Sequence, residues 1–292
     1  MTVENVTLSN GIKMPLEGFG AMMFDPNEAG KAEEVVYTAI KTGYRLIDTA
    51  ASYMNEDAVG RAIKRAIDEG VVKRDELFVV SKLWVQDMTS KEAAAKAIQT
   101  SLDNLGLEYI DLYLEHQAMG DYFAAWKAME DAYKAGKLKA IGVANFFPNV
   151  LCNFCETVEV TPAVNQVELH PFFVQADALA NMKNYGVQPM AWSPLAEGKH
   201  GIFTDPEMTE IGKKYGKTAA QVALRWNTQR GVVIIPKSSN PDRMAQNLDI
   251  WDFTMTDEEM EKISAKDLGH SEIINHFDPE VVKMILGMKI HQ

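Results

Sequence analysis

Three ionisable residues stand where apolar runs end. Tyr44-Arg-Leu-Ile-Asp48 closes on a carboxylate, Leu77-Phe-Val-Val-Ser-Lys82 closes on an ammonium, and Ile110-Asp-Leu-Tyr-Leu-Glu-His116 runs into an imidazole. A phenol, Tyr53, follows Asp48 within the small-residue stretch Thr49-Ala-Ala-Ser-Tyr53. Each residue alone has an ordinary use: a strand-end Asp caps helices, a lone Lys is a solvated tip, a lone His satisfies structure. Together the four types suit proton transfer to a carbonyl. A tyrosine with its usual pKa near 10 is a poor acid–base group at neutral pH. A neighbouring ammonium favours the phenolate and lowers that value. Lys82 is placed to do this, with Asp48 anchoring its charge as an ion pair. His116 would donate a hydrogen bond to the carbonyl oxygen.

For the cluster to exist, the three runs must be neighbouring strands with their ends on one rim. Strand-like and helix-like segments do alternate along the chain. Strands are read at 16–20, 45–48, 77–82, 110–115, 138–143, 163–168, 188–192 and 232–236. Helices are read at 29–42, 56–69, 90–105, 122–135, 147–157, 176–185, 205–215, 218–230, 241–248 and 256–263. Regular βα repetition implies a parallel sheet with right-handed crossovers. Eight units that close on themselves form a TIM (β/α)8 barrel, whose chemistry sits at the C-terminal ends of the strands. Asn10-Gly11, between the apolar runs of residues 5–15, is a hairpin signal; that hairpin is placed to plug one end of the barrel. The tail from Asp267 has little periodicity and is expected to wrap over the rim. No linker composition marks a boundary, so residues 1–292 read as a single domain.

The other strand ends are polar too. Strand five leads to Asn145, strand six carries Gln166, and strand seven ends in Trp192-Ser193. Amide side chains are suited to reading another amide, and Trp192 to stacking on a flat ring. Strand eight runs into Ile235-Pro-Lys-Ser-Ser-Asn-Pro-Asp-Arg243. Lys237, Ser238, Ser239 and Arg243 therefore gather at a helix start, where backbone N–H groups favour anions. In an acidic protein this concentration of basic and hydroxyl groups reads as a phosphate seat.

Composition narrows the function classes. The formal net charge is −12, which argues against general binding to nucleic acid or anionic membranes, since phosphate contacts need a basic face. No apolar run approaches the length of a membrane span. The N-terminal residues lack a basic region followed by an apolar one, so the cytoplasm is the expected location. Nothing demands more than a monomer. The two cysteines, Cys152 and Cys155, are spaced Cys-x-x-Cys without a second pair to complete a zinc site. They read as buried apolar thiols on one face of a short helix.

Taken in order, these motifs resemble the aldo-keto reductase family over nearly the whole chain. The residues that carry the resemblance are Asp48-Thr-Ala-x-x-Tyr53-x-Asn-Glu56, Ser81-Lys82-Leu-Trp84, Leu112-Tyr-Leu-x-His116, Ile141-Gly-Val-x-Asn145-Phe, Asn165-Gln166-Val-Glu-x-His-Pro171 and Ile235-Pro-Lys-Ser238. The pattern is similar to that of the bacterial diketogluconate and prostaglandin-F-synthase-like reductases. The resemblance implies a catalytic tetrad of Asp48, Tyr53, Lys82 and His116, and NADPH-dependent reduction of an aldehyde or ketone. It implies cofactor contacts from Asn145 and Gln166 to the carboxamide, Trp192 to the nicotinamide, and Ser193 and Leu195 to the pyrophosphate. Lys237, Ser238 and Arg243 would meet the 2′-phosphate, and Asn247 the adenine. Lys237 and Arg243 favour NADPH over NADH, because a phosphate needs charge-assisted donors. Met22, Met23, Trp84, His116 and the tail near His276-Phe277 would line the substrate pocket. Ala144, Gln246, Gln117 and Met22 depart from the family's common residues; the last two alter the pocket.

Other readings are weaker. Tyr-x-x-x-Lys occurs at Tyr37–Lys41 and Tyr133–Lys137, but no Gly-rich fingerprint accompanies either. A Schiff-base role for Lys82 would leave the nucleotide-reading rim without a use. Glu168 and His170 could ligate a metal, but no third ligand is evident. A non-enzymatic NADPH sensor on the same fold would not need candidates for all four catalytic roles.

Overall fold

The computed structural model of the protein describes residues 3–22 and 29–291. Strands β1 (Asn5–Thr7) and β2 (Lys13–Pro15) pair antiparallel around a turn in which Gly11 adopts φ +86°. Eight parallel strands follow: β3 (Phe19–Gly20), β4 (Leu46–Asp48), β5 (Phe78–Leu83), β6 (Leu112–Glu115), β7 (Ile141–Ala144), β8 (Val164–Glu168), β9 (Gln188–Trp192) and β10 (Val233–Ile234). Each pairs with the next in sequence. A parallel bridge between Glu17 and Ile234, with Gly18 N donating to Ile234 O at 2.8 Å, brings the two outer strands together and closes the barrel.

Period-2 alternation on these strands sorts residues between two layers. Leu46, Phe78, Val80, Leu112, Leu114, Val164, Met190 and Val233 fill the barrel interior. Leu8, Met14 and Leu16 from the hairpin region join that same cluster, as a plug would. The intervening residues Ile47, Val79, Tyr113, Ile141, Val167, Ala191 and Ile234 pack outward against the helices. These helices are α1 (Ala29–Thr42), α2 (Glu56–Asp68), α3 (Lys91–Leu105), α4 (Tyr122–Lys134), α5 (Pro148–Cys155), α6 (Ala176–Asn184), α7 (Pro206–Tyr215), α8 (Ala219–Gln229), α9 (Pro241–Leu248) and α10 (Asp257–Ser264). Several start at ordinary side-chain caps, such as Ser90 accepting from Ala93 N at α3 and Thr256 accepting from Glu259 N at α10.

Two expectations need correction. The tail is not aperiodic throughout: it holds α11 (Pro279–Gly287), capped by Asp278 and started by a proline. On α11, Ile285 is buried while Met284 and Leu286 are exposed. The tail does cross the rim, where Trp84 Nε1 donates to Met288 O at 3.0 Å and Gln86 Oε1 accepts from Ile290 N. The cysteines are not buried. Cys152 is exposed and Cys155 half-buried, because α5 turns only Leu151 and Phe154 into the core. Burial pushes the Cys155 thiol up to about 11, further from a reactive thiolate. Among the described residues, no helix is long and apolar enough to cross a membrane.

Candidate active site

The inward parity that fills the barrel with Leu46, Val80 and Leu114 continues for two more residues at the top of each strand, to Asp48, Lys82 and His116. The register confirms the alignment: Asp48 pairs with Val80, and Lys82 with Leu114. The same parity brings in Gln166, Trp192 and Lys237 from the far side. Period-2 geometry therefore turns six separate strand ends into one polar layer above an apolar core.

Lys82 is the hub. Its Nζ donates to Asp48 Oδ1 at 2.6 Å, to Thr49 O at 2.9 Å and to Tyr53 Oη at 3.2 Å, which uses all three ammonium donors. Burial opposes the charge, but Asp48 and Tyr53 outweigh it and hold the ammonium above its ordinary value. Asp48 Oδ2 accepts from Gln166 Nε2 at 2.8 Å, so both carboxylate oxygens are engaged. The loop that delivers Tyr53 is cross-braced. Thr49 Oγ1 donates to Asn55 Oδ1, Asn55 Nδ2 donates to Ala21 O, and Ser81 Oγ donates to Glu56 Oε1. A 3-10 turn over Ala51–Tyr53, ended by Met54 at φ 52°, fixes the phenol's direction.

Tyr53 departs from expectation in one respect. Burial raises its pKa more than Lys82 lowers it, and Asp48 adds to the rise, so the phenol stays above 10. That direction favours the neutral phenol over the phenolate. His116 moves the other way. Burial, then the charges of Lys82 and His276, hold its pKa well below 6.5, so the ring is neutral. It packs edge-on to Tyr53 (5.8 Å between centroids) and to Trp84 (5.2 Å).

A cavity of about 560 Å³ opens above this layer. Tyr53, His116, Gln117 and Met22 line it, together with Trp192, Ser193, Leu195, Gly198 and Lys237. Gln166 borders the cavity, and its Oε1 makes no hydrogen bond among the described residues. Asn145 is more committed than the sequence suggests. Its Nδ2 donates to His116 O and its Oδ1 accepts from Trp192 Nε1, so it ties two strand ends together at φ 60°. Trp84 does not line the cavity: it is buried beneath the tail and meets the site through the His116 ring. Met23 lies outside the described residues. His276 borders the cavity, whereas Phe277 borders the neighbouring gap beneath the tail.

Of the expected phosphate seat, Lys237 reaches the cavity. Ser238 is buried and pairs with Asn240, Ser239 and Arg243 are exposed around the start of α9, and Asn247 is buried on the same helix. Burial, then the charges of Lys31 and Arg243, press the Lys237 ammonium below its usual value. The charges of Lys31 and Arg243 are thus both felt at Lys237. Sequence reasoning missed Lys31. Barrel closure was the available signal, because it places the start of α1 beside the end of the last strand. Tyr37 and Tyr133 of the alternative motifs lie on α1 and α4, away from the cavity. Glu168 is taken up by His170 Nε2 (3.0 Å) and Ser271 Oγ, and no group of three His, Cys, Asp or Glu residues that could hold a metal occurs among the described residues.

A closed barrel with an Asp–Lys–Tyr–His layer at its C-terminal rim and a cavity that also borders Lys237 suits an oxidoreductase, and comparison with known proteins agrees. The aldo/keto reductase family model matches residues 18–268. Glyoxal reductase of Bacillus subtilis is 44% identical over 263 residues, covering 90% of this chain and 92% of that protein. Methylglyoxal reductase of Escherichia coli K12 is 40% identical over 267 residues, covering 90% and 94%. The Bombyx mori aldo-keto reductase crystallised in complex with NADP superposes with a TM-score of 0.89 at 35% identity, covering 94% and 96%. The chain belongs to the aldo/keto reductase family.

Proposed function

We propose that the protein reduces an aldehyde or ketone to the alcohol, with NADPH as hydride donor and Tyr53 as proton donor. One observation carries this reading: the Tyr53 hydroxyl sits 3.2 Å from an ammonium that is itself locked to Asp48, beside a cavity that Trp192 and Lys237 also line. The cavity volume lies in the range of small-molecule sites.

NADPH, when bound, supplies the hydride. Trp192 and Gln166 would hold its nicotinamide end, Ser193 and Leu195 the pyrophosphate, and Lys237 with Lys31 and Arg243 the 2′-phosphate. Ser238, Ser239 and Asn247 would support that corner from the start and body of α9. The chain's own groups then handle the proton. Tyr53 donates it to the carbonyl oxygen, and Lys82 stabilises the phenolate left behind. Asp48 keeps Lys82 charged, and His116, being neutral, orients the oxygen by a hydrogen bond instead of competing as an acid. Met22 and Gln117 would border the substrate. Cytoplasmic location, a single domain over residues 1–292 and a monomeric state complete the reading.

The test is NADPH oxidation followed by absorbance, with a panel of aldehydes, ketones and dicarbonyls. Relatives are named for glyoxal and methylglyoxal, so small carbonyl compounds come first. NADPH binding without turnover of any of them would overturn the enzyme reading in favour of a cofactor sensor.

A further inference from the structure

Ser52 precedes Tyr53 in the 3-10 turn, and its Oγ lies 3.2 Å from Nδ1 of His116. Among the described residues Ser52 Oγ makes no other hydrogen bond, so its proton has one protein acceptor, Nδ1. A neutral imidazole carries a proton on one nitrogen and a lone pair on the other, and the partner of one nitrogen decides the state of both. The neutrality of His116 follows from its burial beside Lys82. The ring is also held in place. Trp84 and Tyr53 pack edge-on against it, and Asn145 Nδ2 donates to its backbone carbonyl. His116 borders the cavity, and Nε2 makes no hydrogen bond among the described residues, which leaves that nitrogen for a ligand.

We propose that Ser52 is a positioning residue: by donating to Nδ1 it holds His116 as the Nε2–H tautomer, the neutral form that can donate to a carbonyl oxygen in the cavity. The inference rests on the reading that the substrate carbonyl docks between Tyr53 and His116, and it adds which nitrogen donates and what selects it. With the proton on Nδ1 instead, Nε2 would present a lone pair to the carbonyl oxygen, and the two acceptors would repel. Ser52 lies in the same short turn as Tyr53, so one backbone element aims the acid and sets the protonation of its partner.

The full chain, labelled with ¹⁵N in its histidine rings, reports the tautomer directly by NMR, with His116→Gln identifying the signals. The wild type should show His116 protonated on Nε2 throughout the neutral range. Ser52→Ala should shift His116 to a tautomer mixture and lower kcat for an aldehyde by about three- to tenfold, the loss of one ordinary hydrogen bond, with the NADPH Kd unchanged. Ser52→Thr, which keeps the hydroxyl, should restore both the tautomer and most of the rate. A wild-type ring protonated on Nδ1 overturns the proposal. So does a Ser52→Ala protein in which either the tautomer or kcat stays as in the parent. If Ser52 controls the tautomer but no carbonyl compound is reduced, the reductase reading fails while the tautomer assignment stands.

Discussion

Lys82 Nζ lies 2.6 Å from Asp48 Oδ1, and neither side chain reaches solvent. A pair so buried adds little net stability relative to apolar residues of the same volume, but losing one member leaves an uncompensated charge. The pair is therefore better understood as the device that keeps an ammonium beside Tyr53 than as a staple for the barrel.

Asp48→Asn should lower stability by about 3–5 kcal/mol and the melting temperature by roughly 10 °C. The Lys82 value should also fall, because the anion that raises it is gone. In the parent, the fold holds Lys82 above 10.5, so its contribution is present at neutral pH and fades as pH rises through that raised value. Calorimetry across pH checks both statements; an unchanged melting temperature would contradict them.

Tyr53→Phe should reduce carbonyl turnover by roughly a hundredfold or more, the scale of a lost general acid, and leave NADPH affinity nearly intact. Steady-state rates alongside fluorescence titration separate the two effects. Turnover at the parent rate would remove Tyr53 from the reaction.

The pH dependence follows from two opposite shifts. Tyr53 acts as an acid and its pKa lies above 10, so kcat/KM at saturating NADPH should fall only as the medium becomes strongly alkaline. His116 is already neutral well below 6.5, so its titration adds no limb in the neutral range. A flat profile from about pH 6 to pH 9 is expected. An inflection near 6.5 would show that a histidine titrates in the reaction.

Lys237→Ala should weaken NADPH by about ten- to a hundredfold, the worth of a charge-assisted hydrogen bond, with NADH changed by less than about twofold. Equal losses for both cofactors would separate Lys237 from the 2′-phosphate.

Gly20→Ala tests the seam of the barrel. A Cβ there would sit 2.8 Å from Ile235 O, a backbone atom that cannot step aside. The strain should cost about 1–3 kcal/mol. Because Gly20 also borders the cavity, NADPH affinity should fall with the melting temperature.

Most of the barrel and its central cluster could be read in the sequence because both obey period 2. Apolar residues alternate up each strand, and the next inward position holds Asp48, Lys82, His116, Gln166, Trp192 or Lys237. Contacts that cross between loops escaped that reading. Ser52 looks like spacing between Asp48 and Tyr53 until His116 arrives from another strand. Lys31 sits far in sequence from the corner it charges. Trp84 has the type of a pocket residue, yet the tail covers it through a backbone carbonyl that has no sequence signature. The Tyr53 shift depended on weighing burial against a nearby cation, and only three-dimensional packing sets that balance.

The bridge between Glu17 and Ile234 joins the first and last strands of the sheet, which lie far apart in sequence. Pairings between such distant segments form late, because their loop entropy is lost before any contact rewards it. Gly20 and Lys237 flank that junction and both border the cavity, so closing the barrel also completes the cavity lining there. A nucleotide that binds there selects fully assembled molecules and, by mass action, stabilises them against reopening. Cofactor supply in the cell would then set how much of this protein persists, as well as how fast it works.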